Sequence, residues 1–299
     1  MERYLFISHN ALGDTLCITC ALRAFKLAHP DSYVTFVTQS AGYTRVLDGN
    51  PDIDFLLYND KMLFDGLKDF SEEWIHTLPL DFNAPQTLHV MDMKRFCTTH
   101  EVFQEHISRG FTHFLGLEPV RERPYIYLTP ADRKMARSLV KEPYVVLSFH
   151  SNSNPDREDG KGRKKDWPME NWLELCQRLR ATGINDIVAI GSEYDGRYGS
   201  PVWRNLYGLP IKAVAALLES AACVVTLESG IGHLAHAVDA AMVMLYSDLM
   251  PPGWAKPSEA TNCRVLYGDP HEFSPDRVMS AVTEVLEHSG VLTLQNEPA

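Results

Sequence analysis

The chain has 299 residues, of which 45% are hydrophobic and 22% charged, and a formal net charge of −11. The length suits two domains of ordinary size, and the composition is that of a globular protein. The negative balance argues against non-specific nucleic-acid binding, which needs clustered Lys and Arg, and no apolar run approaches the roughly 18 residues of a membrane span.

The N-terminus enters a strand-like YLFIS at residues 4–8 with no leader pattern before it, which predicts a cytoplasmic protein with at most peripheral membrane contact. Within FISHNALGDTLCITCALRAF, residues 6–25, an apolar run turns through Gly13 into an Ala- and Leu-bearing segment, predicting strand, turn and a helix over 14–29 that Pro30 closes. The G-x-G-x-x-G phosphate fingerprint is missing there, and Asp14 stands at the helix start. A carboxylate at that place either complements the helix dipole and caps free N–H groups, or acts as a general base held at a strand's carboxyl end. Cys17 and Cys20 lie one turn apart on the helix and read as packing rather than as a redox pair. The six cysteines together form no disulfide or zinc framework.

Further along, SYVTFVTQ predicts a strand, AGYTRVLDG a short helix with Gly49 as its cap, and DFLLY and LHVMD two more strands. Residues 100–116 carry His, Phe, Ile and Leu at helical spacing, and EPVRERPYIYLTP reads as a connection to a second half. That half opens with the buried-strand pattern YVVLSFH at 144–150, followed by a loop rich in Asn, Asp, Gly and Lys. A helix is expected over MENWLELCQRLRATG, a strand and turn over DIVAIGSE, a helix over AVAALLESAA and a strand over CVVTLES. GIGHLAHAVDAA then predicts a helix, MVMLYS the last clear strand, and SPDRVMSAVTEVLEHS a terminal helix.

The alternation predicts an α/β chain of two doubly wound halves, 1–142 and 143–299, facing each other across a cleft. The terminal helix over 275–289 is a candidate to pack back on the first half. Ligands of open α/β sheets sit at the carboxyl ends of the strands, and three constellations lie there. Asp14 is the first. KKDWP, residues 164–168, is the second: Lys165 beside a helix start suits a phosphate, and Ser151 and Asn152 after YVVLSFH add hydroxyl and amide donors. LESGIGH, residues 227–233, is the third, with Gly230 and Gly232 permitting close backbone approach and Glu228 able to accept a sugar hydroxyl or cap the helix. His233, in the first turn that follows, is either a packing residue or a donor to phosphate. Trp167 reads as a packing anchor. The pair His233 and His236 lacks a third metal ligand in sequence, and His100-Glu101 with His106 lacks zincin spacing.

Taken together, the motifs are specific. ALGDTLCITCALRAFKLAHPD resembles the opening motif of the family 9 glycosyltransferases, the bacterial heptosyltransferases, and LDGNPDIDFLL, KKDWPMENWLEL, IGSEYD, the LESGIGH region and VMLYS follow in that family's order. The resemblance implies the GT-B architecture, two Rossmann-like domains facing a cleft, and an inverting transfer that requires no bound metal and no cofactor. The implied donor is a nucleotide-diphosphate sugar, ADP-heptose first, and the implied acceptor a lipopolysaccharide core or related glycan or glycolipid. Carried over by position, Asp14 is the base, and Lys165, Glu193, Glu228, Gly230 and His233 bind the donor. Ser151, Asn152 and Ser229 are candidate donor contacts beside them, and Gly13, Arg163 and Lys164 candidate acceptor contacts, with Arg157 and Lys161 completing a basic stretch suited to an anionic glycolipid. Glu228 stands where the family has aspartate, Cys20 where it has proline, and YSDLMPPGWAKP where it has G-P-T-D-P, and the loop 151–163 is longer and more charged than usual. Three other readings stay open: a glycosyltransferase of different donor or acceptor, a non-catalytic nucleotide-sugar-binding homologue, and a nucleotide-dependent oxidoreductase.

Overall fold

The computed structural model describes residues 2–8, 11–59, 88–92, 105–151, 156–158, 163–192 and 200–292. The chain divides into two compact units, Met1–Tyr127 and Leu128–Ala299, each with its own parallel sheet.

In the first unit the strands β1 (Arg3–Ser8), β2 (Tyr33–Gln39), β3 (Phe55–Asn59) and β4 (Leu88–Asp92) form a sheet of order β3-β2-β1-β4. All pairs are parallel. Leu5, Phe6 and Ile7 are fully buried, as expected of a central parallel strand covered on both faces. Helix α1 (Leu12–Ala28) is apolar nearly all round and therefore buried rather than amphipathic. Phe25 meets Tyr4 edge-on at 4.6 Å and Phe6 at 5.1 Å, tying the helix to β1. Cys17 and Cys20 are buried on it, and burial pushes the Cys17 thiol well above its ordinary pKa. A thiol held neutral in this way packs rather than reacts.

The expected short helix after β2 is a 3-10 segment, Gly42–Leu47, and Gly49 follows it at φ 75°, a conformation that favours glycine. Helix α2 (Ile107–Phe114) packs on α1. His106 caps it, its Nδ1 accepting from the Ser108 amide at 3.2 Å.

The second unit begins with helix α3 (Pro130–Leu139), which the sequence reading passed over. Thr129 and Asp132 form a capping box at its start, and the helix packs on α5 (Ile211–Glu219). The strands β5 (Tyr144–Ser148), β6 (Asp186–Gly191), β7 (Arg204–Tyr207), β8 (Cys223–Leu227), β9 (Met242–Ser247) and β10 (Cys263–Gly268) lie in the order β10-β9-β8-β5-β6-β7. Strands β7 and β10 are edge strands with half-exposed faces that gave no strong alternation. So β9 is not the last strand. The remaining helices are α4 (Met169–Ala181), α6 (Gly230–Ala237) and α7 (Pro275–His288).

Helix α7 buries Val278, Ala281, Val282, Val285 and Leu286 in the core of the second unit, with Trp172, Leu175 and Leu179 of α4 in the same cluster. Trp167 is an anchor, as its sequence context predicts. It is 2% exposed, lies 4.9 Å from Trp172 and donates from Nε1 to the Phe273 carbonyl at 2.7 Å. No helix among the described residues is long and apolar enough to cross a membrane.

Candidate functional site

In a doubly wound sheet the ligand crevice opens outside the strand ends where the winding reverses. In the first unit β1 lies between β2 and β4, so the reversal falls beside β1. Asp14 follows that strand in the first turn of α1, half-buried, with Gly13 buried next to it. The helix N-cap is Ala11, which supplies no side-chain cap. The negative charge of Asp14 therefore lies beside the free N–H groups of the first turn, where the helix dipole favours it. It also reaches Tyr43, whose hydroxyl is pushed up first by burial and then by the Asp14 charge.

In the second unit the reversal falls between β5 and β8, which pair from Val145 with Cys223 to Ser148 with Thr226. The segments leaving these two strands carry Ser151 on one side and Glu228, Ser229 and Gly230 on the other. Lys165 reaches the same end from the segment before α4. Its ammonium forms a short ion pair with the Glu228 carboxylate, and the two residues are only 5% and 8% exposed. Two residues 63 apart in sequence thus meet at the seam of the sheet.

Ser229 is the N-cap of α6, yet its side chain makes no capping bond. Its Oγ is buried and has no hydrogen-bond partner among the described residues. Orphan N–H groups and a buried hydroxyl at a helix start form a ready place for an anion or a hydroxyl-rich ligand. His233, one turn in, is buried. Burial lowers its pKa from 6.5, the Glu228 carboxylate opposes the shift, and the Lys165 ammonium adds to it. The imidazole is therefore neutral near pH 7, with one N–H to donate.

A Cβ at Gly232 would meet the tip of the Met244 side chain, Cε at 2.6 Å, so the turn also lies against β9. Ser151 is buried at the end of β5, whereas Asn152 and Glu193 lie outside the described residues.

The basic stretch takes up partners. Arg157 bonds Asp269 at 3.1 Å, and exposed Arg163 lies 3.9 Å from Asp156, with which it also forms an isolated β-bridge. Lys164 instead lines a surface concavity of about 390 Å³ together with Arg157, Glu158, Asp248, Leu249 and Asp269. Asp248, Leu249 and Asp269 were not singled out in sequence. The unusual tract YSDLMPP was the signal that pointed to two of them.

The family model for glycosyltransferase family 9 (heptosyltransferase) matches residues 91–280, well over half of the chain. The chain belongs to that family. It is 26% identical over 158 residues to lipopolysaccharide heptosyltransferase 2 of Salmonella typhimurium, a match covering 44% of this chain and 45% of that one. The chain thus spans under half the length of the curated relative it matches. Its fold is similar to a family 9 glycosyl transferase from Veillonella parvula, with TM-score 0.73 at 18% identity over 96% of this chain and 98% of the other. It is also similar to the E. coli heptosyltransferase WaaC with ADP-2-deoxy-2-fluoro heptose, with TM-score 0.64 at 17% identity over 94% and 99% of the two chains. The α/β fold with two parallel sheets is that of the GT-B heptosyltransferases.

Proposed function

We propose that the chain is an inverting glycosyltransferase that moves heptose from ADP-heptose to a lipopolysaccharide core or related glycan, without requiring a bound metal. The observation that carries this reading is the buried Lys165–Glu228 pair at the β5–β8 reversal, beside the open N-terminus of α6. Family membership, the likeness to the Salmonella lipopolysaccharide heptosyltransferase 2 and the ADP-sugar held by the E. coli structure agree with it.

In this mechanism the acceptor hydroxyl attacks the anomeric carbon from the face opposite the diphosphate. Asp14 accepts the hydroxyl proton as the new C–O bond forms, and the bond from carbon to the diphosphate oxygen breaks. The configuration inverts. Negative charge develops on the departing diphosphate, where the Lys165 ammonium and the α6 N–H groups offset it. Ser151, Asn152, Ser229, Gly230 and His233 complete the donor contacts, with His233 donating as a neutral imidazole. Glu228 accepts a hydroxyl of the donor sugar, and Glu193 the ribose hydroxyls. Gly13, Arg163 and Lys164 face the acceptor.

A donor other than heptose is the second reading, favoured by Glu228 itself. It is one methylene longer than the family's aspartate, and it holds Lys165 directly.

Calorimetric titration with ADP, UDP and GDP, each with and without magnesium, tests the proposal. ADP binding that magnesium does not alter supports it. A preference for UDP or GDP keeps the glycosyltransferase and removes heptose, and silence with all three overturns nucleotide-sugar use.

A further inference from the structure

Two stretches stand out in the sequence, the charged loop around residues 151–163 and the tract YSDLMPP after β9. In the folded second unit these stretches line one concavity. Arg157, Glu158 and Lys164 come from the segment between β5 and α4, Asp248 and Leu249 follow β9, and Asp269 follows β10. Strands β9 and β10 end in register, Ser247 against Gly268, and the Asp248 amide donates to the Gly268 carbonyl at 3.2 Å. Asp248 and Asp269 therefore stand at one level, one and two strands further out than Glu228, which follows β8. The lining includes Lys164, next in sequence to Lys165, and shares no residue with the Lys165–Glu228 pair.

The charge of this pocket excludes the ligand that the basic sequence suggested. Asp269 engages Arg157 with both carboxylate oxygens, at 3.1 and 3.5 Å, and accepts the His271 amide at 2.9 Å. The side chains of Lys164, Glu158 and Asp248 carry no hydrogen bond or ion pair among the described residues. The lining thus holds two cations against three carboxylates. A phosphate would meet more negative than positive charge there. A neutral ring of hydroxyls meets a matched set, because carboxylates accept from hydroxyl hydrogens while the ammonium donates to hydroxyl oxygens. Leu249, 42% exposed, adds an apolar surface against which the C–H face of a sugar can lie. A volume of about 390 Å³ falls within the range of small-ligand sites.

We infer that the pocket lined by Lys164, Asp248, Leu249 and Asp269 is a subsite for a neutral pyranose. That the ring belongs to the glycan acceptor rests on the proposed glycosyl transfer; the chemistry of the pocket does not. The subsite gives the two stretches a shared task, selection of a glycan by an uncharged residue.

Ligand-observed saturation-transfer NMR on the full chain tests this, with the methyl pyranosides of glucose, galactose and mannose as probes. Inorganic phosphate and glucosamine serve as competitors. At least one methyl pyranoside is expected to receive saturation that phosphate does not displace. Asp248→Ala and, separately, Lys164→Ala are expected to weaken that binding at least about tenfold, the loss of one charged hydrogen-bonding partner. Asp248 is exposed, so the folded state of its variant is checked by an unchanged melting curve. ADP affinity of the Asp248→Ala variant, measured by calorimetry, is expected to equal that of the parent. Saturation that survives Asp248→Ala, displacement by phosphate, or a preference for glucosamine would each overturn the subsite. A sugar signal that depends on Asp248 in a chain that binds no nucleotide would keep the subsite and remove the donor reading.

Discussion

Replacing Glu228 with glutamine keeps the side-chain volume and removes one charge from a pair that is almost wholly buried. Lys165 is 5% exposed and Glu228 8%, so the remaining ammonium loses that carboxylate where water reaches poorly. Breaking a buried pair from one side costs about 3–5 kcal/mol. The pair stands at the carboxyl edge of the sheet rather than in its centre, which favours the lower end of that range. For a unit of this size the melting temperature shifts about 2–4 °C per kcal/mol, so the variant is expected to melt about 6–12 °C lower. Glu228→Gln also releases Lys165 for a diphosphate. Saturating ADP at a hundredfold excess over its dissociation constant returns about 2.7 kcal/mol by mass action. ADP is therefore expected to raise the melting temperature of Glu228→Gln more than that of the parent, where the nucleotide must compete with a carboxylate for the same ammonium. The assay is thermal unfolding followed by circular dichroism, with and without ADP, on the parent, Glu228→Gln, Lys165→Met and the double variant. A coupling energy above about 1 kcal/mol is expected from the cycle. Additive single losses, or an unchanged melting point for Glu228→Gln, would refute the account of the pair given above.

Asp14→Asn is expected to leave ADP affinity within about twofold while abolishing sugar transfer, since it removes a proton acceptor and keeps the side-chain shape. Equal loss of binding and transfer would take the role of base from Asp14. Lys165→Ala is expected to weaken ADP binding by tenfold or more, about 1.4 kcal/mol, and a calorimetric titration with unchanged affinity would remove it from the diphosphate site. Because the folded pKa of His233 lies below 6.5, the chain's stability contribution from its neutral form is complete above that pH and lost as pH falls through the lowered value. Urea midpoints measured from neutral to mildly acidic pH should decline, and His233→Gln should flatten the decline. Trp167→Phe leaves the buried Phe273 carbonyl without its 2.7 Å donor and is expected to cost about 1–3 kcal/mol in urea unfolding.

The apolar runs made the central strands legible. YLFIS, YVVLS, CVVTL and MVMLYS are buried on both faces, so each reads as a continuous hydrophobic stretch wherever its neighbours lie. The two edge strands of the second sheet were hidden by the same physics. RNLY and CRVLYG are half-exposed, and their arginines and tyrosines blur any alternation. Helix α3 was missed although Thr129, Pro130 and Asp132 spell a capping box with proline at the first turn. The preceding run of prolines and charges drew the reading toward a connection instead.

At the site, Lys165 and Glu228 were each legible from a local motif, but their direct pairing was not. That contact depends on β8 lying next to β5, which follows from the winding of the whole sheet and not from either stretch alone.

Strands β5, β6 and β7 form one flank of the second sheet and β8, β9 and β10 the other, and among the described residues the flanks meet through hydrogen bonds from β5 to β8. The Lys165–Glu228 pair crosses that border at its carboxyl end. A molecule bound there therefore clasps two independently wound βα repeats. Its binding should slow amide exchange in strands on both flanks together, including those it never touches, because opening either flank would first have to release it.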